Sequence, residues 1–175
     1  MALLVSIILC ALNQSFAQST GTPQESMRVS LYQVNADGST NLADGNLTNY
    51  DNSFSNDLSD DALKLNNFGE NFAILRYSTK LAIEQRKKIY DADTTVFSMW
   101  NMSLRSYRLI VTTYNLEHPG LQGYFVDKYL NTYTPLLLNS QNTFNFTVTS
   151  TAGSYMPERF QILFRNPTLS PLASL

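Results

Sequence analysis

The sequence predicts an all-β fold, an antiparallel β-sandwich of the jelly-roll or immunoglobulin-like kind, preceded by a signal peptide. Three observations lead to this prediction. Apolar and polar residues alternate with a period of two in many short runs, as they do in strands with one buried face. Clusters of Asn, Asp, Gly, Ser and Pro separate the runs, as expected for a sandwich whose strands are joined by turns. No stretch has a convincing apolar face at helical spacing, and residues 60–65 form one turn of helix at most.

The first predicted strand contains Met27, Val29 and Leu31, which alternate with polar neighbours and are expected to face the core. Turn signals follow at Asp37-Gly38 and Asp44-Gly45. The alternation then recurs at residues 72–77, 81–83, 95–100, 107–111, 124–126, 144–148 and 160–164. In the last two runs, the expected core residues are Phe144, Phe146, Val148, Phe160, Ile162 and Phe164.

An export signal is predicted at the amino terminus. Residues 3–12 form an apolar run that is too short to span a bilayer as a helix and suits the core of a signal peptide. Ser15 and Ala17 supply small side chains for cleavage after Ala17. The predicted organisation is a signal peptide at 1–17, a flexible lead-in at 18–26, a β-sandwich domain at 27–165 and a linker-like tail at 166–175.

Cys10 is the one cysteine of the chain and falls inside the predicted signal. A lipid-attachment site at Cys10 is disfavoured, because Leu9 stands where such a site needs a small residue. After cleavage the domain would therefore contain no disulfide, and we expect no membrane insertion. With a single histidine as well, the sequence excludes a Cys/His zinc site and an iron–sulfur cluster. A net charge of −2 and a pI near 5.3 argue against nucleic acid as a partner.

Charges are segregated along the chain. Six aspartates and no base lie between Arg28 and Lys64, whereas five bases and one acid lie between Arg76 and Lys88. The simplest interpretation is a solvated loop and a solvated strand edge that face each other across the fold. The run Arg86-Lys87-Lys88 is interpreted as protection of that edge against pairing with another strand.

The loop at residues 51–61 supports a second interpretation, a calcium site. Its candidate ligands are Asp51, Asp57, Asp60 and Asp61, and Ca²⁺ prefers six to eight hard oxygen ligands. The loop does not match an EF-hand, because it lacks the central glycine and the terminal glutamate. The alternative role of these side chains is to cap the backbone of turns. The sequence indicates no other cofactor.

The sequence does not predict an enzyme. His118 lies in a Pro-Gly turn, and the sequence has no second histidine with which it could share a metal. The sequence also has no Gly-x-Ser-x-Gly nucleophile elbow whose serine His118 could activate as a base. A capped turn residue is the better interpretation. Distant carboxylates that meet in the fold stay open as a glycosidase pair, but nothing in the sequence selects one.

Tyrosines leave carbohydrate binding open, because an exposed ring can stack on a sugar while its hydroxyl stays in water. The chain has ten tyrosines and one tryptophan. Most are explained equally well as strand formers at half-buried positions. The candidates singled out are Tyr107, Tyr114, Tyr124, Tyr129 and Tyr133.

Several motifs carry a resemblance that extends over residues 27–165. They are Tyr50-Asp51-x-x-Phe54-Ser55-Asn56, Asp61-Ala62-x-Lys64-Leu65, Leu81-Ala82-Ile83-Glu84-x-Arg86, Asp93-Thr94, Asn115-Leu116-x-x-Pro119-Gly120-Leu121-x-Gly123, Asp127-x-Tyr129-Leu130-Asn131-Thr132-x-Thr134-Pro135-Leu136 and Ser154-Tyr155-x-x-x-Arg159-Phe160-x-Ile162-x-Phe164. With these motifs the chain resembles the β-sandwich modules of large Bacteroidota cell-surface proteins exported by the type IX secretion route.

The resemblance implies a non-catalytic structural or adhesion module, secreted or displayed at the cell surface, with surface glycans or other surface proteins as partners. It also implies a C-terminal sorting domain. The sequence stops at Leu175 without one, so a truncated fragment or a periplasmic location is the expected alternative. Within the fold, the resemblance implies that Pro119-Gly120 and Thr134-Pro135 set turns, and that Arg159 pairs with an acid near the end of the sheet.

Overall fold

The computed structural model describes residues 24–116 and 118–166. These residues confirm the all-β prediction, because they form strands and one short 3-10 helix at Ala152–Tyr155. The predicted signal peptide lies outside the described residues. The strands are β1 (Glu25–Val34), β2 (Thr40–Tyr50), β3 (Ala62–Leu63), β4 (Asn71–Arg76), β5 (Thr79–Arg86), β6 (Asp93–Trp100), β7 (Ser106–Tyr114), β8 (Gln122–Asp127), β9 (Thr132–Leu136), β10 (Gln141–Thr147) and β11 (Phe160–Arg165).

The strands belong to one continuous sheet. Its order is β10-β7-β1-β2-β5-β4-β6-β11-β8-β9, with β3 attached to β5. The sheet curls until it is nearly closed into a barrel. The sandwich prediction is therefore not confirmed. The prediction of a purely antiparallel sheet is wrong at one place, since β2 and β5 run parallel.

β5 changes its pairing partner along its length. The first residues of β5 pair with β4, from Thr79 to Leu81, whereas its last residues pair with β2, from Ile83 to Arg86. Leu81 and Glu84 are both buried although they are three residues apart, so the regular alternation of faces is broken between them. β5 thus links its antiparallel partner β4 to its parallel partner β2.

Alternation predicted the core correctly. Met27, Val29 and Leu31 are buried, as are Phe146, Val148, Phe160, Ile162 and Phe164, and Phe144 is half-buried against them. Aromatic rings close the fold by linking strands from opposite ends of the sheet. The ring of Phe125 on β8 stacks on Phe144 of β10 with centroids 4.0 Å apart, and Phe160 of β11 meets Phe146 edge to face at 4.8 Å.

Turn signals were less reliable than alternation. Gly38 has a φ of 84° in the β1–β2 turn and Gly120 a φ of 77° after Pro119, so both predicted turns are confirmed. Asp44-Gly45 instead lies inside β2, where Oδ2 of Asp44 accepts the backbone N–H of Phe72 at 2.7 Å. Thr134-Pro135 lies inside β9, and the predicted helical turn at 60–65 contains β3.

The predicted domain boundaries differ from the observed elements by a few residues. β1 begins at Glu25, inside the predicted lead-in at 18–26. Asn166, the first residue of the predicted tail, is buried and donates its backbone N–H to Asp91 at 3.0 Å. Residues 167–175 of that tail lie outside the described part of the chain.

Candidate functional sites

Glu84 of β5 is buried at the centre of a charged cluster. Its Oε1 accepts hydrogen bonds from Nη1 of Arg76 on β4 at 2.7 Å and from Nη1 of Arg86 at 3.5 Å. Nη2 of Arg86 donates to Oδ1 of Asp93 on β6 at 2.6 Å. Thr48 of β2 donates its hydroxyl to the second oxygen of Glu84 at 3.4 Å. These contacts form the Glu84 cluster, which joins four neighbouring strands.

The Glu84 cluster has two guanidinium groups and two carboxylates, so its formal charge is zero. A depression of about 250 Å³ opens beside it, lined in part by Tyr77, Thr94 and Thr95. Burial lowers the pKa of Arg76, but hydrogen bonds to Tyr77 and Glu84 raise it, and the net effect is a rise. Each carboxylate is held by a guanidinium, so the cluster is arranged to fix the strands in place.

A second cluster ties the start of β1 to two loops. The carboxylate of Glu25 lies 2.9 Å from Nε2 of His118 and 2.7 Å from Nζ of Lys88. The hydrogen bond and charge of Glu25 raise the pKa of Lys88. The backbone carbonyl of His118 accepts the N–H of Leu121 at 3.0 Å. The interpretation of His118 as a turn residue is therefore confirmed, and its contact with Glu25 adds a long-range tie.

Arg159 pairs with an acid, as the resemblance implied. Its Nε and Nη2 bind the carboxylate of Asp127 at 3.0 and 2.7 Å, and Nη1 donates to the carbonyl of Ser154 at 2.8 Å. Only 2% of Arg159 is exposed, and its guanidinium lies 5.0 Å from the ring centroid of Tyr129 and 4.8 Å from that of Phe160. The pair anchors β8 to the start of β11.

The four aspartates proposed for calcium each accept a separate hydrogen bond within the protein. Asp51 accepts from Ser53 and Asp57 from Ser59, and these bonds lower the pKa of both carboxyl groups. Asp60 accepts the backbone N–H of Ser55 at 3.0 Å, and Asp61 that of Gln85 at 2.7 Å. In the described residues, no group of three or more His, Cys, Asp or Glu side chains is placed to hold a metal. The capping alternative describes Asp51, Asp57 and Asp60, whereas Asp61 binds Gln85 of β5.

The loop at 51–61 lies against the basic segment, but it does so mainly through asparagines. The side-chain oxygens of Asn52 and Asn56 accept the backbone N–H groups of Lys88 and Lys87, and Arg76 donates to the backbone carbonyl of Asn56. The two segments are therefore neighbours. The interpretation of the basic run as edge protection is wrong, because Arg86 pairs with Tyr50 of β2 inside the sheet, and Lys87 and Lys88 lie beyond the end of β5.

The tyrosines are widely distributed. Tyr107 is fully buried, and its hydroxyl donates to Glu70 at 2.8 Å. Its ring is therefore not accessible to a sugar. Tyr124 and Tyr133 lie on β8 and β9, while Tyr114 ends β7. The other exposed tyrosines lie in turns, loops and the 3-10 helix at positions 77, 90, 129 and 155. Tyr124 and Tyr133 lie on the same face of the β8–β9 pair, but among the described residues no ring contact joins two of these tyrosines.

One aromatic depression was not predicted. Trp100 and Tyr155 line a hollow of about 370 Å³ together with Asn101, Met102 and Pro157. The sequence signal was weak, because Trp100 and Tyr155 are far apart along the chain. They meet because the backbone N–H of Met99 bonds to the carbonyl of Pro157 at 2.9 Å.

Comparison with family models, curated proteins and solved structures finds no match to this chain. Among the described residues, no helix has the length and apolar character to cross a membrane.

Proposed function

We propose that the chain is a non-catalytic structural or adhesion module, secreted or displayed at the cell surface as part of a larger protein. The resemblance to type IX-exported Bacteroidota surface modules and the predicted export signal support the location, with the periplasm as the alternative. Surface proteins or glycans are the partners expected of such a module.

The observation that carries the proposal is the way in which the buried charges are used. The Glu84 cluster, the Arg159–Asp127 pair and the contacts of Glu25 each join different strands or loops. Their acids and bases neutralise one another, and breaking such a buried pair is strongly destabilising. Side chains that an enzyme would direct toward a substrate are here directed toward one another.

A second candidate function is carbohydrate binding, and the depression at Trp100 and Tyr155 favours it. Aromatic rings beside an amide side chain suit a sugar, because the rings stack on its apolar face and Asn101 supplies hydrogen bonds. Nζ of Lys80 lies 3.9 Å from the centroid of the Trp100 ring, so a sugar would have to stack on the opposite face of the indole.

A glycan array probed with residues 18–175, with and without calcium, decides between the two candidates. We expect no reproducible sugar binding. Binding that Trp100→Ala removes and Tyr114→Ala retains would overturn the purely structural proposal and place the sugar in this depression. Tyr114 is the matched control, since it is exposed and lies on β7, away from the hollow.

Calcium is tested separately by calorimetry and thermal unfolding. The carboxylates of Asp51, Asp57, Asp60 and Asp61 already accept hydrogen bonds from other groups of the protein. We therefore expect no heat of binding and an unchanged Tm on calcium addition. A binding heat that Asp57→Asn abolishes would restore the calcium prediction and the calcium-assisted form of the second candidate.

A further inference from the structure

The two terminal strands of the sheet, β9 and β10, leave a gap between them. They are consecutive in the chain, yet no ladder of hydrogen bonds joins them. Their Cα atoms lie almost entirely more than 8 Å apart. Paired strands lie about 4.8 Å apart, so β9 and β10 are too far apart to pair with each other, and a further strand would have to fit between them.

The free edge of β10 presents unpaired backbone groups to this gap. Just beyond β10, Val148 donates its backbone N–H to the carbonyl of Arg105 on the side of β7. Backbone groups of successive residues point to opposite sides of a strand. The N–H and C=O groups of Thr143 and Asn145 therefore face the gap, while those of the intervening residues are bonded to β7. Thr147 faces the same way, but its carbonyl accepts a hydrogen bond from Nη1 of Arg159 at 3.4 Å.

The edge of β9 is protected against pairing. Lys128 directs its backbone N–H toward β11, so Asp127 faces β9, where it pairs with Thr132. By the same alternation, Tyr133 and Pro135 face the gap. Proline has no N–H to donate, which is a common protection of edge strands.

A side-chain clamp marks the point at which the two strands separate. The amide of Asn142 accepts the N–H of Leu137 and donates to its C=O, both at 2.9 Å. At the connected ends of β9 and β10, the side chain of Asn142 thus makes the two hydrogen bonds that a paired backbone residue would make. Beyond Asn142 no backbone ladder joins the two edges.

β10 lacks the protection that β9 has. Its seven residues, QNTFNFT, include no proline and no charge, and its register with β7 is regular. The floor of the gap is apolar, because half-buried Phe144 stacks there on Phe125. Long, uncharged edges of this kind pair readily with another strand.

We propose that the gap between β9 and β10 binds an extended segment of another polypeptide, which adds to β10 as a strand. The bound segment alternates apolar side chains, which cover Phe144, with uncharged polar ones. The β10 strand of a second copy does not fit, because it carries its own β7 on one side and the gap is bordered by β9 on the other. This inference goes beyond the proposed function and does not depend on it.

The sequence of β10 supplies a suitable probe. The residues TFNFT at 143–147 read the same in both directions. A peptide of the same sequence, added antiparallel and centred on Asn145, therefore places Thr opposite Thr and Phe opposite Phe, which are favourable cross-strand pairs. The probe is the synthetic peptide SQNTFNFTV, residues 140–148.

Backbone amide hydrogen exchange of the chain, measured by NMR with and without this peptide, tests the proposal. We expect exchange at Thr143 and Asn145 to slow by at least about tenfold, while Phe144 and Phe146, already bonded to β7, change little. A scrambled peptide of the same composition serves as control. Absence of protection at about 1 mM peptide, or protection confined to other strands, would overturn the proposal.

A matched pair of variants sharpens the test. Thr143→Pro removes one N–H at the free edge without removing a bond to β7, so we expect it to weaken peptide binding at least about tenfold. Thr143→Ala keeps that N–H and should bind like the natural chain. Equal binding by both variants, or protection of Thr143 and Asn145 in the free chain, would contradict the open edge.

Discussion

At the scale of single residues, buried charges carry much of the specificity of this fold. Arg159 and Glu84 each bind groups from other strands or loops, and neither is accessible to solvent. Burying an ion is costly unless a partner compensates it. Removing one member of such a pair therefore costs more than removing both.

The Arg159–Asp127 pair gives the first prediction. Arg159→Met should lower the free energy of unfolding by about 3–5 kcal/mol, because it leaves the carboxylate of Asp127 buried and uncompensated. The double variant Arg159→Met, Asp127→Asn should recover part of that loss. Urea unfolding measures both, and equal stability of the single and double variants would show that the two side chains are not coupled.

Glu70 gives a prediction about pH. Burial raises its pKa, but hydrogen bonds from Tyr107 and Gln33 lower it, and the net pKa lies below the ordinary 4.5. A lowered pKa contributes stability above the unfolded value, and this contribution disappears as the pH falls through the folded value. The Glu70→Gln variant should therefore lose less stability than the natural chain between about pH 6 and about pH 3. Identical losses in urea unfolding would contradict this role.

At the scale of elements, the 3-10 helix at Ala152–Tyr155 positions the turn after β8. A Cβ added to Gly153 would lie 2.4 Å from Cδ2 of Tyr129, whose ring lies beside Arg159. Gly153→Ala should therefore destabilise the fold by about 1–3 kcal/mol, since the ring must move. Thermal unfolding checks this. Gly69→Ala is the control, because no atom lies within 4 Å of its added Cβ, and an equal effect of both variants would refute the steric explanation.

The elements also show where sequence reasoning succeeded. Strict alternation identified β1, β10 and β11 and their core faces, because burial of one face makes apolar and polar residues alternate along the strand. It missed β2, where Asp44 and Gly45 read as a turn. Asp44 is stable within a strand because the N–H of Phe72 and the ammonium group of Lys64 bind its carboxylate, and neither partner is visible from the local sequence.

At the scale of the whole molecule, the curling of the sheet and the change of partner along β5 could not be predicted. Both depend on long-range pairing, in particular the parallel pair of β2 with β5. The same limit applies to the candidate sites. The sequence grouped Asp51, Asp57, Asp60 and Asp61 by proximity along the chain, whereas the fold assigns each a separate backbone donor. It also separated Trp100 from Tyr155, which the fold brings together.

The central claim is that this sheet is nearly closed and leaves one unprotected edge, on β10. Amide hydrogen exchange of the free chain tests it most directly. We predict an alternating pattern along β10, with slow exchange at Phe144 and Phe146 and fast exchange at Thr143 and Asn145. Uniformly slow exchange at all four amides would contradict the claim, because it would mean that the edge of β10 is already paired.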